Sequence, residues 1–477
     1  MVVKNLKLLT LLFFICSCSS LQQRNASNEV VKLYSNGEYQ ELVNKIKEKK
    51  LYQREQDRFL KQAELGTLFF RLGEYEQALA SFRLASQISE ELYTIRVSKK
   101  LKSFLMNDSD DIYYPNPYEL SMIRFYEIMA SIMLEQKSNQ TKHRRMLEPA
   151  SRSWQAYLDN LKERKLGEAD FKGVVLADVM SYIVHLYLGS SADKSIAKSF
   201  RNIARKNLKQ KMGLYESFNS KYEVYRKDFS KLHLKSEKEL FKKYISKTEV
   251  YKGVESFLKK NYGQVIVLLN GNITPKKPKK YSFPIDFIGY AASHNLSGGD
   301  FASFSARVLA LSSGTKPTIA FELPTIDSSS KRVNSPFKIL KEGQEIYKGK
   351  ATTVSHNSEV MKKLLDEEAT KARIRLGTKL VAKHLAILAS AYGTYRVLKK
   401  KQGEFLAYVA ATAAYAVSNK ALEALELADI RSWNGLHDFI EVVPLKLKKG
   451  SYIFEYGGKK LSFNVTGKKK QIIPLIL

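Results

Sequence analysis

The sequence predicts an α+β chain: an N-terminal α-helical repeat solenoid over residues 28–260, then an antiparallel β-sheet domain over 263–477 that carries an inserted or packed helical hairpin at 358–428. Three observations lead there. Residues 59–92 hold small and aromatic residues at the spacing of paired helices, and an upstream segment echoes them. From Gly263 the texture changes to β-branched runs ended by glycine turns. Residues 358–428 return to a helical pattern with a break near Gly403.

The repeat signal comes first in the argument. Leu65, Gly66, Phe69, Ala78, Phe82 and Ala85 flank the turn "RLGEYEQAL" and resemble the tetratricopeptide pattern, with Gln62 where tryptophan is usual and Glu90 where proline is usual. Gly66 and Ala78 suit a close helix crossing, while Phe69, Phe82 and Ala85 fill the space toward the next hairpin. "SNGEYQELVNKI" sets Gly37 and Tyr39 against Gly73 and Tyr75, a degenerate repeat 36 residues upstream. One hairpin cannot bury its own apolar face, so further helices must follow between 93 and 190. "PYELSMIRFYEIMASIML" supplies one, with Pro117 at its start, and residues 172–188 read as another buried helix.

The second half reads as strands and turns. "GQVIVLLNG" is a buried strand ended by Asn270-Gly271, and "NITPKKPKKYSFPI" a basic, proline-bearing connection. "PTIAFELP" follows as a strand, and "FKILKEGQEIYKGKATT" as a hairpin around Glu342-Gly343. The tail segments "FIEVVPLKL", "YIFEY", "LSFNV" and "QIIPLIL" are joined by short glycine turns, which predicts an antiparallel meander in one sheet with the strands after 263. The hairpin is expected to pack on that sheet. The alanine-rich arm after Gly403 suits close packing, since its uncharged core, Phe405 to Asn419, is too short to span a bilayer.

The first residues address the chain. Lys4 and Lys7 precede an apolar run from Leu8 to Ile15, the layout of a bacterial export signal too short to span a membrane. Ile15-Cys16-Ser17-Cys18 resembles the lipobox of bacterial lipoproteins, which implies a signal peptide over 1–17, lipidation of Cys18 and a tether over 18–27. Cys16 and Cys18 are both of the chain's cysteines, so the mature protein would hold no disulfide even in an oxidising compartment. Ser19 and Ser20 resemble a sorting signal for the outer membrane. Membrane attachment through acyl chains on Cys18, facing the periplasm, is the expectation.

Charge narrows the partners. Net charge is +31, and +29 once residues 1–17 take two lysines away. A surface so basic attracts anionic lipid headgroups, lipopolysaccharide or cell-wall carboxylates, whereas an export signal argues against nucleic acid. Residues 194–260 hold 19 Lys+Arg against 7 acids, with Tyr215, Phe218, Tyr222, Tyr225, Phe229 and Leu232 on one helical face. That stripe reads as core behind a solvated charged face.

Chemistry is sparse. Seven histidines are scattered without metal-ligand spacing, and neither a nucleophile elbow nor a phosphate-binding loop occurs, so neither catalytic residue, metal nor cofactor is assigned. "SHNLSGGDFASFSAR", residues 293–307, gathers His294, Ser297 and Asp300 and supplies the alternative reading, a cell-wall-modifying hydrolase. Ser/Gly/Asp/Asn clusters mark loops far more often than triads.

"ADIRSWNGLHDFIEVVPLKLKKGSY", residues 428–452, resembles the C-terminal signature of a family of uncharacterised bacterial envelope lipoproteins with N-terminal tetratricopeptide-like repeats and an A-D-T-R-S-W block. Ala428, Asp429, Arg431, Ser432, Trp433 and Leu436 match; Ile430 replaces the family's threonine and His437 a frequent proline. The family has no established activity, but its members are often encoded near lipoproteins that activate peptidoglycan synthases, which implies a link to cell-wall assembly. The resemblance therefore implies a protein-binding scaffold or tether with an envelope protein as partner. From the residues themselves, Arg431 can pair with a carboxylate and Trp433 can plug a helix–sheet junction while its indole N–H finds an acceptor.

Overall fold

A computed structural model describes residues 23–98, 112–138, 141–163, 175–213, 251–284, 299–313, 318–327, 336–425, 427–468 and 470–477. The chain is mixed α+β, with helices concentrated in the N-terminal half and mostly antiparallel sheets in the C-terminal half. Cys18, His294, Ser297 and the aromatic stripe at 215–232 lie outside the described residues.

The helices run α1 (23–36), α2 (Tyr39–Lys47), α3 (Arg58–Leu72), α4 (Tyr75–Ser98), α5 (Pro117–Ser138), α6 (Thr141–Glu163), α7 (Leu176–Leu188) and α8 (Ser191–Gly213), with α9 at 251–259. From α2 to α8 each packs on the next, so the array grows by neighbours. Its turns repeat. Gly37 (φ +75°) and Gly73 (φ +78°) end α1 and α3 in the left-handed conformation. The N–H groups that follow return to matching carbonyls, Glu38 to Leu33 and Glu74 to Phe69. Gly189 closes α7 with the same φ. At Gly66 a Cβ would stand 2.5 Å from the Phe82 ring, so only a bare backbone lets α3 meet α4 this closely. Leu65, Phe69, Ala78, Phe82 and Ala85 are all buried.

Ten strands follow among the described residues: β1 (Gln264–Asn272), β2 (Lys277–Pro284), β3 (Thr318–Thr325), β4 (Phe337–Lys341), β5 (Gln344–Gly349), β6 (Thr352–His356), β7 (His437–Leu445), β8 (Gly450–Tyr456), β9 (Lys459–Val465) and β10 (Gln471–Ile476). Between them lie α10 (Gly299–Ser313) and the hairpin α11 (Asn357–Gln402) and α12 (Glu404–Leu425). The strands form three sheets, ordered β10-β1-β7-β6, β2-β3 and β5-β4-β8-β9.

Three expectations are corrected here. The tail is not a meander in one antiparallel sheet: β7 and β8 separate into different sheets, and β10 runs parallel to β1. Turn chemistry reports where a chain reverses, not which partner it returns to. The segment at 277–284 is strand rather than connection, pairing with β3 so that Pro278 faces Pro324. A two-stranded ribbon leaves each strand one unpaired edge, which is where proline is tolerated. Third, the hairpin is inserted between β6 and β7 but packs chiefly on the β2–β3 ribbon and α10, where Phe301, Phe304, Phe321 and Leu323 meet Leu380, Leu388, Ala407, Ala411 and Tyr415.

Strand β1 shows how the layers form. Val265, Val267 and Leu269 face the helical array, while Ile266 and Leu268 face the β5-β4-β8-β9 sheet. Alternation by two sends successive side chains to opposite layers, so a strand buried on both faces reads as the continuous run "VIVLL". The apolar core on the helical side is continuous from Val30 through Phe82 and Tyr126 to Trp433, Ile440 and Ile472. Helical array and sheet therefore share one core.

Candidate functional site

The segment after α12 runs from the foot of the hairpin into the array before becoming β7, and there the buried polar groups converge. Residues 427–433 carry no regular structure, so their backbone groups must find partners elsewhere. Asp429 takes the first: its carboxylate accepts the Arg431 N–H at 3.0 Å and the guanidinium at 2.7 Å. The same guanidinium reaches Asp57, at the entry to α3, at 2.8 Å. Arg431 and Asp57 are both buried, and the two carboxylates outweigh burial to hold the guanidinium firmly charged.

Trp433 is fully buried between Phe82 and Tyr126, with ring centroids 6.2 and 5.7 Å away. Its indole N–H donates to Thr67 Oγ1 at 3.3 Å, and that hydroxyl donates to the Ala63 carbonyl one turn back. Two residues on, Gly435 passes so close to α3 that a Cβ would sit 2.1 Å from Thr67 Oγ1 and 2.4 Å from the Tyr34 hydroxyl. Ser432 keeps to its own turn, its hydroxyl donating to Asn434 Oδ1 at 3.1 Å.

Glu64 is the centre. It is fully buried on α3 and accepts four donors: the backbone N–H of Asn434 (2.7 Å) and Gly435 (3.0 Å) and the hydroxyls of Tyr34 (2.7 Å) and Tyr52 (3.3 Å). Burial pushes its carboxyl up from 4.5 to about 7, because the four donors offset only part of the lost hydration. Arg71 extends the joint from the end of α3, donating to Asn272 Oδ1 at 2.8 Å and to the Gly435 carbonyl at 3.3 Å.

His437 opens β7. Its N–H donates to the Tyr126 hydroxyl (3.2 Å), which lies 2.6 Å from its Nδ1. Which of the two donates depends on the ring's tautomer, and the imidazole is neutral. Burial, then Arg71, drives its pKa far down. On the next residue Asp438, also buried, accepts the Ser358 N–H at 2.8 Å and lies 3.5 Å from His356 Nε2. For His356 burial works downward, but Asp438 and Glu359 outweigh it and raise the imidazole to about 9.

The sequence-selected residues thus divide. Leu65, Gly66, Phe69, Ala78, Phe82 and Ala85 lie on α3 and α4, where Phe82 meets Trp433, and Asp429 and Arg431 form the ion pairs beside Trp433. Asp300 lies in the first turn of α10, whose Phe301 and Phe304 are buried against the hairpin. Sequence reasoning missed Glu64, Asp57, Tyr34 and Gly435. Glu64 carried a signal: an acid inside the apolar run "AELGTLFF", on a helix whose other residues from Leu65 to Phe70 are all buried. Among the described residues no cluster of His, Cys, Asp and Glu is arranged to hold a metal ion, and no helix is long and apolar enough to cross a membrane. Chemically the site is a lock: most of its charges and donors are satisfied by one another, while Arg71 Nε and His437 Nε2 are buried without a hydrogen-bond partner.

The lock carries a pH dependence. A carboxyl that keeps its proton to about pH 7 when folded, but to 4.5 when unfolded, makes the folded state bind more protons in between. Stability from Glu64 is greatest below that window and falls as pH rises through it, by roughly 3 kcal/mol in total. Glu64→Gln removes the titration. The stability deficit of this variant against the native chain, measured by chemical denaturation, will shrink by roughly 3 kcal/mol between about pH 4 and pH 8. His437 and His384 titrate alike in both chains and cancel in the difference. A constant deficit would disprove the shift.

Comparison of this chain with protein-family models, with curated proteins and with solved structures returns no match.

Proposed function

We propose that the protein is a non-enzymatic, lipid-anchored cell-envelope scaffold: Cys18 holds it to the outer membrane facing the periplasm, and tetratricopeptide-like repeats bind a segment of a partner protein. The observation that carries this reading is that α3, α4 and α5 already grip an irregular, turn-bearing segment of the chain itself. Residues 431–437 are held by backbone N–H groups on Glu64, by one deeply seated aromatic, Trp433, and by one buried ion pair. Helical arrays hold peptides through such anchors.

Other features support the proposal. The left-handed glycines at 37 and 73 and the contact of Gly66 with Phe82 are what tetratricopeptide-like packing requires. The array continues past the occupied stretch into α6, α7 and α8, and the net charge of +31 suits an anionic envelope. Resemblance to the envelope-lipoprotein family rests on residues 428–452, and a link to cell-wall assembly follows from it by association.

Metabolic labelling with radioactive palmitate tests the anchor. The native chain and Cys16→Ala will take up label, and Cys18→Ala will not; a mature amino end other than Cys18 by mass spectrometry would overturn the anchor. Incubation of the purified chain with peptidoglycan tests the rest. Soluble fragments that disappear in His294→Ala and Asp300→Ala would replace the scaffold reading with the hydrolase.

A further inference from the structure

The helical hairpin has two unlike faces. Inward, Ala407, Ala411, Tyr415 and Leu422 of α12 pack on α11 and α10. Outward, Phe405 is 79% exposed, Leu406 53%, Val409 52% and Val417 61%. At about 100° per residue these four, with Ala413 and Lys420, fall within an arc of roughly 120°. They make the largest run of exposed apolar side chains along one described element. Soluble surfaces scatter such residues singly; a stripe beginning with a phenylalanine at a helix start marks a binding face.

What covers it is indicated by charge and by the chain's path. Arg396, Lys399, Lys400 and Lys401 close α11 immediately before the turn at Gly403, and Glu404 lies 3.3 Å from Lys399. Apolar side chains rimmed by lysines fit an anionic lipid surface, with methylenes below the headgroups and ammonium groups among the phosphates. The foot of the hairpin is where the described chain begins. Gln23, Arg24 and Ser27 line a shallow recess with Leu427, Ala428 and Asp429. Arg24 pairs with Glu322, whose carboxylate also accepts the Ala428 N–H at 3.5 Å. Four residues separate Gln23 from Cys18, five Cα–Cα steps with a reach of at most roughly 18 Å. An acyl anchor at Cys18 therefore meets the bilayer within reach of the base of α12, and the helix can then lie along it.

We infer that the outer face of α12, from Phe405 to Val417 with the Arg396–Lys401 basic run, is a second membrane contact that lays the hairpin on an anionic lipid leaflet. The orientation of the hairpin rests on the Cys18 anchor proposed above; the lipid affinity of the stripe does not. Two contacts explain why a single anchored chain would hold one orientation: a tether alone leaves the body free to rotate.

The test uses the mature chain from residue 18 with Cys18→Ser, which removes the acyl chains and every thiol. Vesicles of phosphatidylcholine with about one third phosphatidylglycerol will bind it, and pure phosphatidylcholine vesicles will bind it at least tenfold less. Phe405→Asp with Val409→Asp will lose about tenfold or more of the binding to anionic vesicles. Ile346→Asp, on the exposed apolar β4–β5 hairpin of the other sheet, will lose none. These positions are exposed, so unchanged denaturation midpoints will show that each variant is folded. Phe405→Cys, carrying an environment-sensitive fluorophore as the sole thiol label, will shift to the blue on anionic vesicles. Equal binding by Phe405→Asp/Val409→Asp, no blue shift, or self-association of the native chain that this variant abolishes would overturn the inference. Because no acyl chain is present, a failed anchor at Cys18 cannot produce or hide any of these results.

Discussion

Replacing Gly435 with alanine will cost roughly 4 kcal/mol of folding stability, although it adds one methyl group to a loop. The position does not need glycine for its backbone angles, since its φ is not among the positive ones. It needs glycine for space. The added carbon would stand 2.1 Å from Thr67 Oγ1, 2.4 Å from the Tyr34 hydroxyl and 2.9 Å from Glu64 Oε2. None of these is the loose end of a side chain: Thr67 is committed to Trp433 and Ala63, and Tyr34 to Glu64. Overpacking costs about 1–3 kcal/mol, and the Gly435 and Asn434 N–H groups would be pulled off Glu64 at about 1–3 kcal/mol each. The sum is shared by relaxation. Chemical denaturation checks it, with Gly458→Ala as the comparison. Gly458 has φ +80° and open space around it, so alanine there meets only backbone strain, about 1 kcal/mol. If the two variants lose the same amount, close approach is not what Gly435 serves.

The second large effect belongs to Arg431. Arg431→Leu will destabilise the fold by about 3–5 kcal/mol, chiefly by what it leaves behind. Asp57 is 7% exposed and faces the guanidinium at 2.8 Å, so its charge would stay buried without its closest partner. Desolvating an unpaired carboxylate costs more than the pair itself contributes. The double variant Arg431→Leu/Asp57→Asn should accordingly be more stable than the sum of its single changes by about 1–3 kcal/mol. Strict additivity in this cycle would mean that the pair does not couple the array to the C-terminal segment. Limited proteolysis gives the local view: Arg431→Leu should become cleavable at 427–434 before the helices unfold.

Both predictions concern one joint, which lies within residues 428–452. A segment whose backbone and side chains all make specific bonds tolerates few replacements. Arg431 needs two carboxylates, Trp433 needs a slot between two rings and an acceptor, and Gly435 needs no side chain at all. The preference for a structural role for Arg431 and Trp433 was legible from residue types alone, because a guanidinium and an indole each have few ways to be buried. Their partners were not. Asp57 and Glu64 lie more than 360 residues away along the chain, and spacing along a sequence says nothing of such pairings.

By itself the sequence determined the elements whose causes are local. Left-handed glycines set the turns at 37 and 73, alternation and unbroken apolar runs set the strands, Pro117 set the start of α5, and Gly403 divided the hairpin. Each follows from backbone sterics or from the period with which side chains leave the backbone. The tertiary structure alone decided which strands pair, that β10 runs parallel to β1, that the hairpin rests on the β2–β3 ribbon and turns an apolar stripe outward, and that Glu64 receives the C-terminal segment. Those outcomes depend on which distant surfaces bury the most apolar area while satisfying every trapped polar group, a condition on the whole chain that no short stretch of it contains.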